Sequence, residues 1–182
     1  MSKLVVSEFL SLDGVMENPA WTAPYRSDES TAFKHAELFA SETLLLGRVT
    51  YQGFAEAWPT QTDEQGFADR MNGLPKYVAS TTLKRAEWQN SAVLRPDVAA
   101  EVAALKAKDG GDILVYGSGQ LTRFLLECGL VDQFNLLVYP VTLGTGKRLF
   151  GETPVNLKLT ESRTFSSGVV LLQYVPETAA EQ

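Results

Sequence analysis

Apolar positions along the chain gather into short runs rich in leucine and β-branched residues: "KLVVSEFL" (3–10), "TLLLG" (43–47), "KYVAS" (76–80), "DILVYG" (112–117), "QFNLLVYPV" (133–141) and "GVVLLQYV" (168–175). Several are nearly continuous rather than alternating. That is the pattern of strands covered on both faces, and it predicts the interior of a sheet. Between the runs the period lengthens to that of a helix. Ser27 to Ala40 puts Ala32, Phe33, Ala36, Phe39 and Ala40 on one face, with Ser27 as N-cap and Asp28 and Glu29 in the first turn. In "RPDVAAEVAALKAKDGG" (95–111), Val98, Val102 and Leu105 recur at helical spacing, Pro96 suits the first turn, and Gly110-Gly111 ends it. Leu121, Phe124, Leu125 and Cys128 form a third stripe, closed by Gly129, which places Cys128 in the core.

Strands alternate with helices as far as Phe134, and such alternation argues for parallel strands. Beyond it no helical pattern appears, only strand, glycine-containing loop, strand, a turn at 166–168, and strand. The prediction is an α/β fold whose central mixed sheet is mostly parallel, with antiparallel C-terminal strands and helices on both faces. No linker or repeat divides the chain, so residues 1–182 are expected to form one domain, and only "ETAAEQ" (177–182) reads as frayed.

Composition narrows the function. Of 182 residues 45% are hydrophobic and 21% charged, as in an ordinary globular protein, and the net charge is −6. There is no basic tail or Lys/Arg block, which argues against nucleic acid or an anionic membrane as partner. A phosphorylated ligand would need a local arrangement of amides and a few cations. One cysteine and one histidine exclude an internal disulfide and a Cys/His zinc site, so no metal is expected, and His35 reads as a surface side chain. The N-terminal apolar run is too short and too acid-interrupted for a signal peptide, and no run is long enough to span a bilayer. A soluble, cytoplasmic protein is expected.

The stretch "YGSGQL" (116–121) carries candidate chemistry. Gly117 and Gly119 remove side chains where a ligand would approach the backbone. The amides of Ser118, Gly119, Gln120 and Leu121 would face an anion at the positive end of the following helix, with the Ser118 hydroxyl capping that helix or touching the same anion. It is neither a dinucleotide fingerprint, since Thr122 stands at the third glycine position, nor a P-loop. Taken alone, the turn reads equally as a tight strand-to-helix connection.

Three other segments give it partners. "LLLGRVTYQGF" (44–54) puts Gly47 and Arg48 at a strand's carboxyl end, where an arginine fork suits a phosphate. "KYVASTTL" (76–83) ends a strand in small hydroxyl residues that suit a turn and a ligand alike. "FLSLDGVMENPAW" (9–21) leads from the first strand into a loop carrying Asp13, Gly14, Glu17 and Trp21. Asp13-Gly14 fits a simple turn as well as a site. In "PVTLGTGKRLF" (140–150), Gly144 and Gly146 suit backbone geometry, and Lys147-Arg148 suit solvated loop charges or a substrate phosphate. Trp21 and Trp58 suit core packing or the wall of a flat heterocycle.

In this order, "SLDGVM", "LLLGRVTY", "YVASTTL", "ILVYGSGQL" and "VYPVTLGTGKRLF" resemble the dihydrofolate reductase superfamily, and within it the reductase domain of the bifunctional riboflavin-biosynthesis deaminase-reductase. The resemblance spans residues 4–150. It implies a dihydrofolate-reductase-like fold, an NADPH-dependent oxidoreductase, a small heterocyclic substrate and a homodimer. The nominal reaction would be reduction of 5-amino-6-(5-phosphoribosylamino)uracil, with another pterin, folate or heterocycle, or a non-catalytic nucleotide- or flavin-binding protein, as alternatives. Carried over by position, Gly47, Arg48, Val49 and Thr50 would contact the cofactor. Ser80 and Thr81 would sit near its 2′-phosphate, and Gly117, Ser118, Gly119, Gln120 and Leu121 would line the pyrophosphate and nicotinamide ribose. Asp13, with Glu17, is the acid expected nearest the substrate, its pKa raised by closure of the loop. Two departures stand out. The zinc-binding deaminase half has no counterpart in this sequence, so deamination is not expected of this chain. Asp28 and Glu29 lie roughly where folate reductases carry the acid of their first helix, but neither aligns with it.

Overall fold

The leucines at 44–46 and the "ILV" at 113–115 have no exposed face, and they lie side by side, Leu44 level with Leu114 and Leu45 with Val115. In the computed structural model, which describes residues 1–177, they form the centre of one sheet. Its strands are β1 (Leu4–Ser11), β2 (Ser41–Gly47), β3 (Lys76–Ala79), β4 (Ser91–Leu94), β5 (Asp112–Tyr116), β6 (Gln133–Tyr139), β7 (Leu157–Thr164) and β8 (Val170–Pro176), in the order β4-β3-β2-β5-β1-β6-β8-β7. From β4 to β6 every pairing is parallel, while β8 runs antiparallel to β6 and to β7. The mixed sheet with an antiparallel finish is therefore as expected. The ending predicted to fray lies, apart from Glu177, outside the described residues.

Helices cover both faces. They are α1 (Asp28–Ala40), α2 (Arg48–Ala57), α3 (Phe67–Gly73), α4 (Val98–Lys106) and α5 (Gly119–Glu127). Alternate residues of the strands divide between the two faces, and the two larger of three clusters lie over the parallel strands. Leu4, Val6, Leu10, Leu45, Ile113 and Val115 pack with Val102 of α4 and Leu121 and Leu125 of α5. Val5, Leu44, Leu46 and Leu114 pack with Leu38 of α1, Tyr51 of α2 and Met71 of α3. Each such leucine contributes roughly 2 kcal/mol on burial. No helix among the described residues is long and apolar enough to cross a membrane.

Three sequence expectations fail at the level of packing. In α5 the covered residues are Leu121, Thr122 and Leu125; Phe124 is 41% exposed and Cys128 is exposed. The helix is rotated by about one position, and Cys128 is its C-cap, past the last covered turn. Gly129, at φ +67°, then stops it, with the Leu130 amide donating to Leu125 O and the Gly129 amide to Leu126 O, the Schellman arrangement. In α4 the cap is Asp97, whose side chain accepts the Ala100 amide, so Pro96 precedes the helix instead of opening it.

The largest correction concerns α1. Its Ser27 cap is present, completed as a capping box by Ser30. The face turned to the sheet is Ser30, Lys34, Glu37 and Leu38, however, while Ala32, Ala36 and Ala40 are exposed and Phe39 is 44% exposed. The sheet surface beneath carries Ser7, Tyr116 and Asn135, so the helix lays its polar side on a polar row. Helical periodicity finds apolar stripes and does not register a polar one matched to a partner. His35 is half-buried, stacked on Phe39, with Nε2 near Gln65 O.

Candidate active site

Parallel strands leave their carboxyl ends on one edge, where open α/β sheets bind ligands. Gly47, Ala79, Leu94 and Tyr116, the last residues of β2, β3, β4 and β5, all line one open cleft of about 2140 Å³. Pockets for one drug-sized molecule hold roughly 300–1,000 Å³. This cleft has room for a dinucleotide and a second ligand together.

Its middle is the glycine turn. Gly117 has φ +56°, and a Cβ there would lie 2.7 Å from Thr50 Oγ1; at Gly119 a Cβ would lie 2.8 Å from Met16 Sδ. The turn is thus built so closely that neither position accepts a side chain as it stands. Ser118 is also left-handed, at φ +64°. Its hydroxyl accepts the Gly47 amide at 2.8 Å and donates to Tyr116 O at 3.0 Å, and its amide donates to Thr50 Oγ1 at 3.1 Å. The hydroxyl therefore neither caps α5 nor stands free for an anion, and the Ser118 amide is used. Instead this residue clamps the end of β2 to the end of β5. The clamp sets the N-termini of α2 and α5 side by side. By helix geometry the first amides of each, Arg48 to Thr50 and Gly119 to Leu121, have no acceptor one turn back, and they share one positive corner.

Around that corner stand the other residues expected from the sequence. Arg48 is exposed, its Nη1 donating to Gln52 Oε1 at 3.2 Å, and it lines the cleft with Thr50 and with Val49, which is 68% exposed. Ser80 and Thr81 lie further along the same edge, the Ser80 hydroxyl accepting the amides of Thr82 and Leu83. Trp58 lines the cleft, edge-on to Phe54.

The first loop is placed differently from expectation. Asp13 is not among the residues that line the cleft. Its carboxylate accepts the Ser11 hydroxyl at 2.6 Å and the amides of Leu143 and Gly144 at 3.1 and 2.7 Å. These donors hold its pKa down at about 2 instead of raising it, so Asp13 is an ionised clamp between two loops. A depressed carboxyl stabilises the fold above its ordinary value of 3.8 and loses that contribution as pH falls toward 2. Asp13→Asn should accordingly melt at a lower temperature than wild type at neutral pH. The gap should close near pH 2, and a gap of constant size in melts at both pH values would contradict the clamp. Glu17 does line the cleft, its Oε2 accepting the Lys147 amide at 3.2 Å. Trp21 packs edge-on to Tyr139 and donates to Glu17 O, away from the cleft wall. Gly144 and Gly146 have φ +78° and +129°, and a Cβ at Gly146 would lie 2.5 Å from Val15 Cγ1, so both serve backbone geometry. Glu29 of α1 holds Ser166, and neither it nor Asp28 lines the cleft.

Sequence reasoning missed the floor of the cleft. Lys34 Nζ donates to Ser7 Oγ at 2.7 Å and to Glu37 Oε2 at 2.5 Å, and sits 4.0 Å from the Tyr116 ring centroid. Glu37 also accepts Asn135 Nδ2 at 2.7 Å and the Tyr116 hydroxyl at 3.1 Å. Burial lowers the Lys34 pKa, against the pull of Glu37 and Glu8. Beside this satisfied network lies Glu8, 5% exposed, with Oε1 buried and without a hydrogen-bond partner among the described residues. Burial pushes its carboxyl well above the usual carboxylate range; Lys34 opposes that, Glu37 adds to it and the Gly117 amide opposes it weakly. One signal was available: Glu8 interrupts the alternating row Leu4, Val6, Leu10.

The sequence model of the RibD C-terminal domain family matches residues 2–171. The uncharacterized protein YyaP of Bacillus subtilis is 37% identical over 139 residues, 73% of each chain. The crystal structure of a diaminohydroxyphosphoribosylaminopyrimidine deaminase/5-amino-6-(5-phosphoribosylamino)uracil reductase from Thermotoga maritima superposes with TM-score 0.68 at 15% identity, covering 96% of this chain and 56% of that one. A dihydrofolate reductase from Enterococcus faecalis, complexed with NADP(H), superposes with TM-score 0.63 at 15% identity over 97% of both chains. The fold is thus dihydrofolate-reductase-like, as the sequence resemblance implied.

Proposed function

This chain belongs to the family of the RibD C-terminal domain, and on that premise we propose that it is an NADPH-dependent reductase of a small heterocycle, nominally 5-amino-6-(5-phosphoribosylamino)uracil. The observation that carries the reading is the double helix start around Gly117. Two sets of unpaired amides converge where glycines exclude side chains, and the cleft extends from there to Ser80 on one side and Glu17 on the other. That cradle fits a pyrophosphate. Gly119, Gln120 and Leu121 would hold it, and Arg48, Ser80 and Thr81 would lie toward a 2′-phosphate. When bound, the dinucleotide supplies hydride; the chain's own work is to position it and the substrate and to exclude water. The Thermotoga maritima reductase and the NADP(H) complex of the Enterococcus faecalis enzyme support the reading, since both share the fold.

Oxidation of NADPH in the presence of candidate pyrimidines, pterins and folates is the decisive assay. Binding of NADPH and NADH, followed by fluorescence of Trp58 in the cleft wall, tests the cradle separately. Arg48→Ala should weaken NADPH by roughly 10- to 100-fold, the worth of one charge-assisted phosphate contact, and should weaken NADH much less. An equal loss for both nucleotides contradicts a role at the 2′-phosphate. Tight NADPH binding with no oxidation by any of these substrates would instead favour a nucleotide-binding protein.

A further inference from the structure

We propose that Glu8 is the catalytic acid of this site: its carboxyl group hydrogen-bonds the heteroatom of the carbon–heteroatom double bond that is reduced in the bound substrate and gives it a proton as the adjoining carbon accepts hydride. The inference rests on the reductase reading above.

Ser7 is level with Tyr116, the last residue of β5, so Glu8 lies one step beyond that strand's end, level with the glycine turn. It lines the cleft, and the Gly117 amide is close enough to act on its charge. A carboxyl in this place stands where the nicotinamide end of a dinucleotide cradled at Gly119–Leu121 would meet a second ligand.

A buried polar atom almost always has a hydrogen bond, because burial strips it of water. Lys34, Glu37, Tyr116 and Asn135 all have theirs; among the described residues Glu8 Oε1, Arg70 Nε, Thr122 Oγ1 and Ser167 Oγ have none, and of these four residues only Glu8 lines the cleft. The Leu4, Val6, Leu10 row offers it only apolar neighbours on its own face.

The carboxylates that compete for this role are engaged elsewhere, apart from Glu64, which also lines the cleft but is exposed to solvent. Asp13 clamps the loop at 143–144, and Glu17 holds the Lys147 amide. Asp63 and Asp97 cap α3 and α4 with their side chains. Glu37 has both oxygens occupied.

The chemistry balances. A bound reduced dinucleotide would supply the hydride of the new carbon–hydrogen bond; the π pair would move to the heteroatom, the heteroatom–hydrogen bond would form and the Glu8 O–H bond would break. The carboxylate left behind feels the Lys34 ammonium, which lowers the barrier to its formation. Solvent returns the proton through the open cleft.

The test compares full-length wild type with Glu8→Gln, using NADPH and 5-amino-6-(5-phosphoribosylamino)uracil as the probe substrate. Glutamine keeps the shape and cannot give up a proton. kcat is expected to fall about 100- to 1,000-fold, in the range of a lost general acid, with NADPH affinity unchanged within about threefold. Difference infrared spectra of the unliganded proteins at neutral pH should show a protonated-carboxyl carbonyl band present in wild type and missing from the variant. NADPH binding by the variant checks that it is folded. If wild type turns over and Glu8→Gln retains its rate within about fivefold, the proposal is overturned while the reductase reading stands. Loss of no carboxyl band overturns it as well, independently of any activity. A wild-type protein that oxidises NADPH with none of the candidate pyrimidines, pterins and folates overturns both.

Discussion

Gly117→Ala is expected to raise the NADPH dissociation constant by about 100-fold or more, roughly 2.7 kcal/mol, and to lower stability by about 1–3 kcal/mol. Two physical effects combine. At φ +56° any L side chain is strained, and the added Cβ would stand 2.7 Å from Thr50 Oγ1 and 3.1 Å from its Cγ2. Thr50 must then move, and Thr50 Oγ1 is the acceptor of the Ser118 amide. Ser118 in turn holds the Gly47 amide and Tyr116 O. One methyl group therefore disturbs the starts of α2 and α5 together, and a dinucleotide that needs both loses its register. Gly73→Ala at the end of α3, outside the cleft, is the matched control. Its Cβ would meet nothing within 4 Å, and alanine in an open helical position should stabilise by about 0.5–1 kcal/mol. Titration of both variants with NADPH, alongside thermal melts, decides the matter. Unchanged affinity in Gly117→Ala would mean that this turn does not hold the cofactor.

The second large effect is expected far from the cleft floor, at Lys76. This side chain is 1% exposed, and its ammonium donates to Asn72 O at 2.7 Å, Leu74 O at 2.8 Å and Gln89 O at 3.2 Å while lying 4.2 Å from the Trp88 ring centroid. It ties the end of α3 to the segment leading into β4. Lys76→Ala removes the donor from three carbonyls and leaves a cavity, and it should destabilise by about 3–5 kcal/mol. For a chain of this size that is a fall in Tm of roughly 10 °C.

Lys76→Met refills the volume and should lose less. It also isolates the charge. Burial lowers the Lys76 pKa from 10.5 to about 8, so the folded state holds fewer protons than the unfolded state between those values. The contribution of this group to stability is full above 10.5 and is lost as pH falls through about 8. Wild type should gain on Lys76→Met as pH rises across that window, and denaturant titrations at several pH values measure the gap. A gap independent of pH would show that the ammonium has an ordinary pKa.

How far the site was legible follows from which residues interact locally. Gly47, Arg48, Ser80 and the turn at Gly117–Leu121 stand at strand ends, and a strand end shows itself where an apolar run stops. The short β4 and α3 were missed for the opposite reason. Neither has enough residues to carry a period, and β4 exists because β3 lies beside it. Asp13 was recognised as important but given the wrong charge. Its pKa is governed by the Leu143 and Gly144 amides, 130 and 131 residues away in the chain, and no local pattern reports them.

What the sequence determined by itself was the order of elements, the sheet with its antiparallel finish, and the edge on which ligands would meet. Apolar runs, caps and glycines act within a few residues, and parallel strands bring their carboxyl ends together whatever the details. Only the tertiary structure decided which side chains face one another. It turned the polar side of α1 onto Ser7, Tyr116 and Asn135, used Ser118 as a clamp between two strand ends, sent Cys128 to the surface and left Glu8 alone on the cleft floor. Those outcomes depend on contacts between segments far apart in sequence, where a charge or a hydroxyl takes its chemical state from its partner.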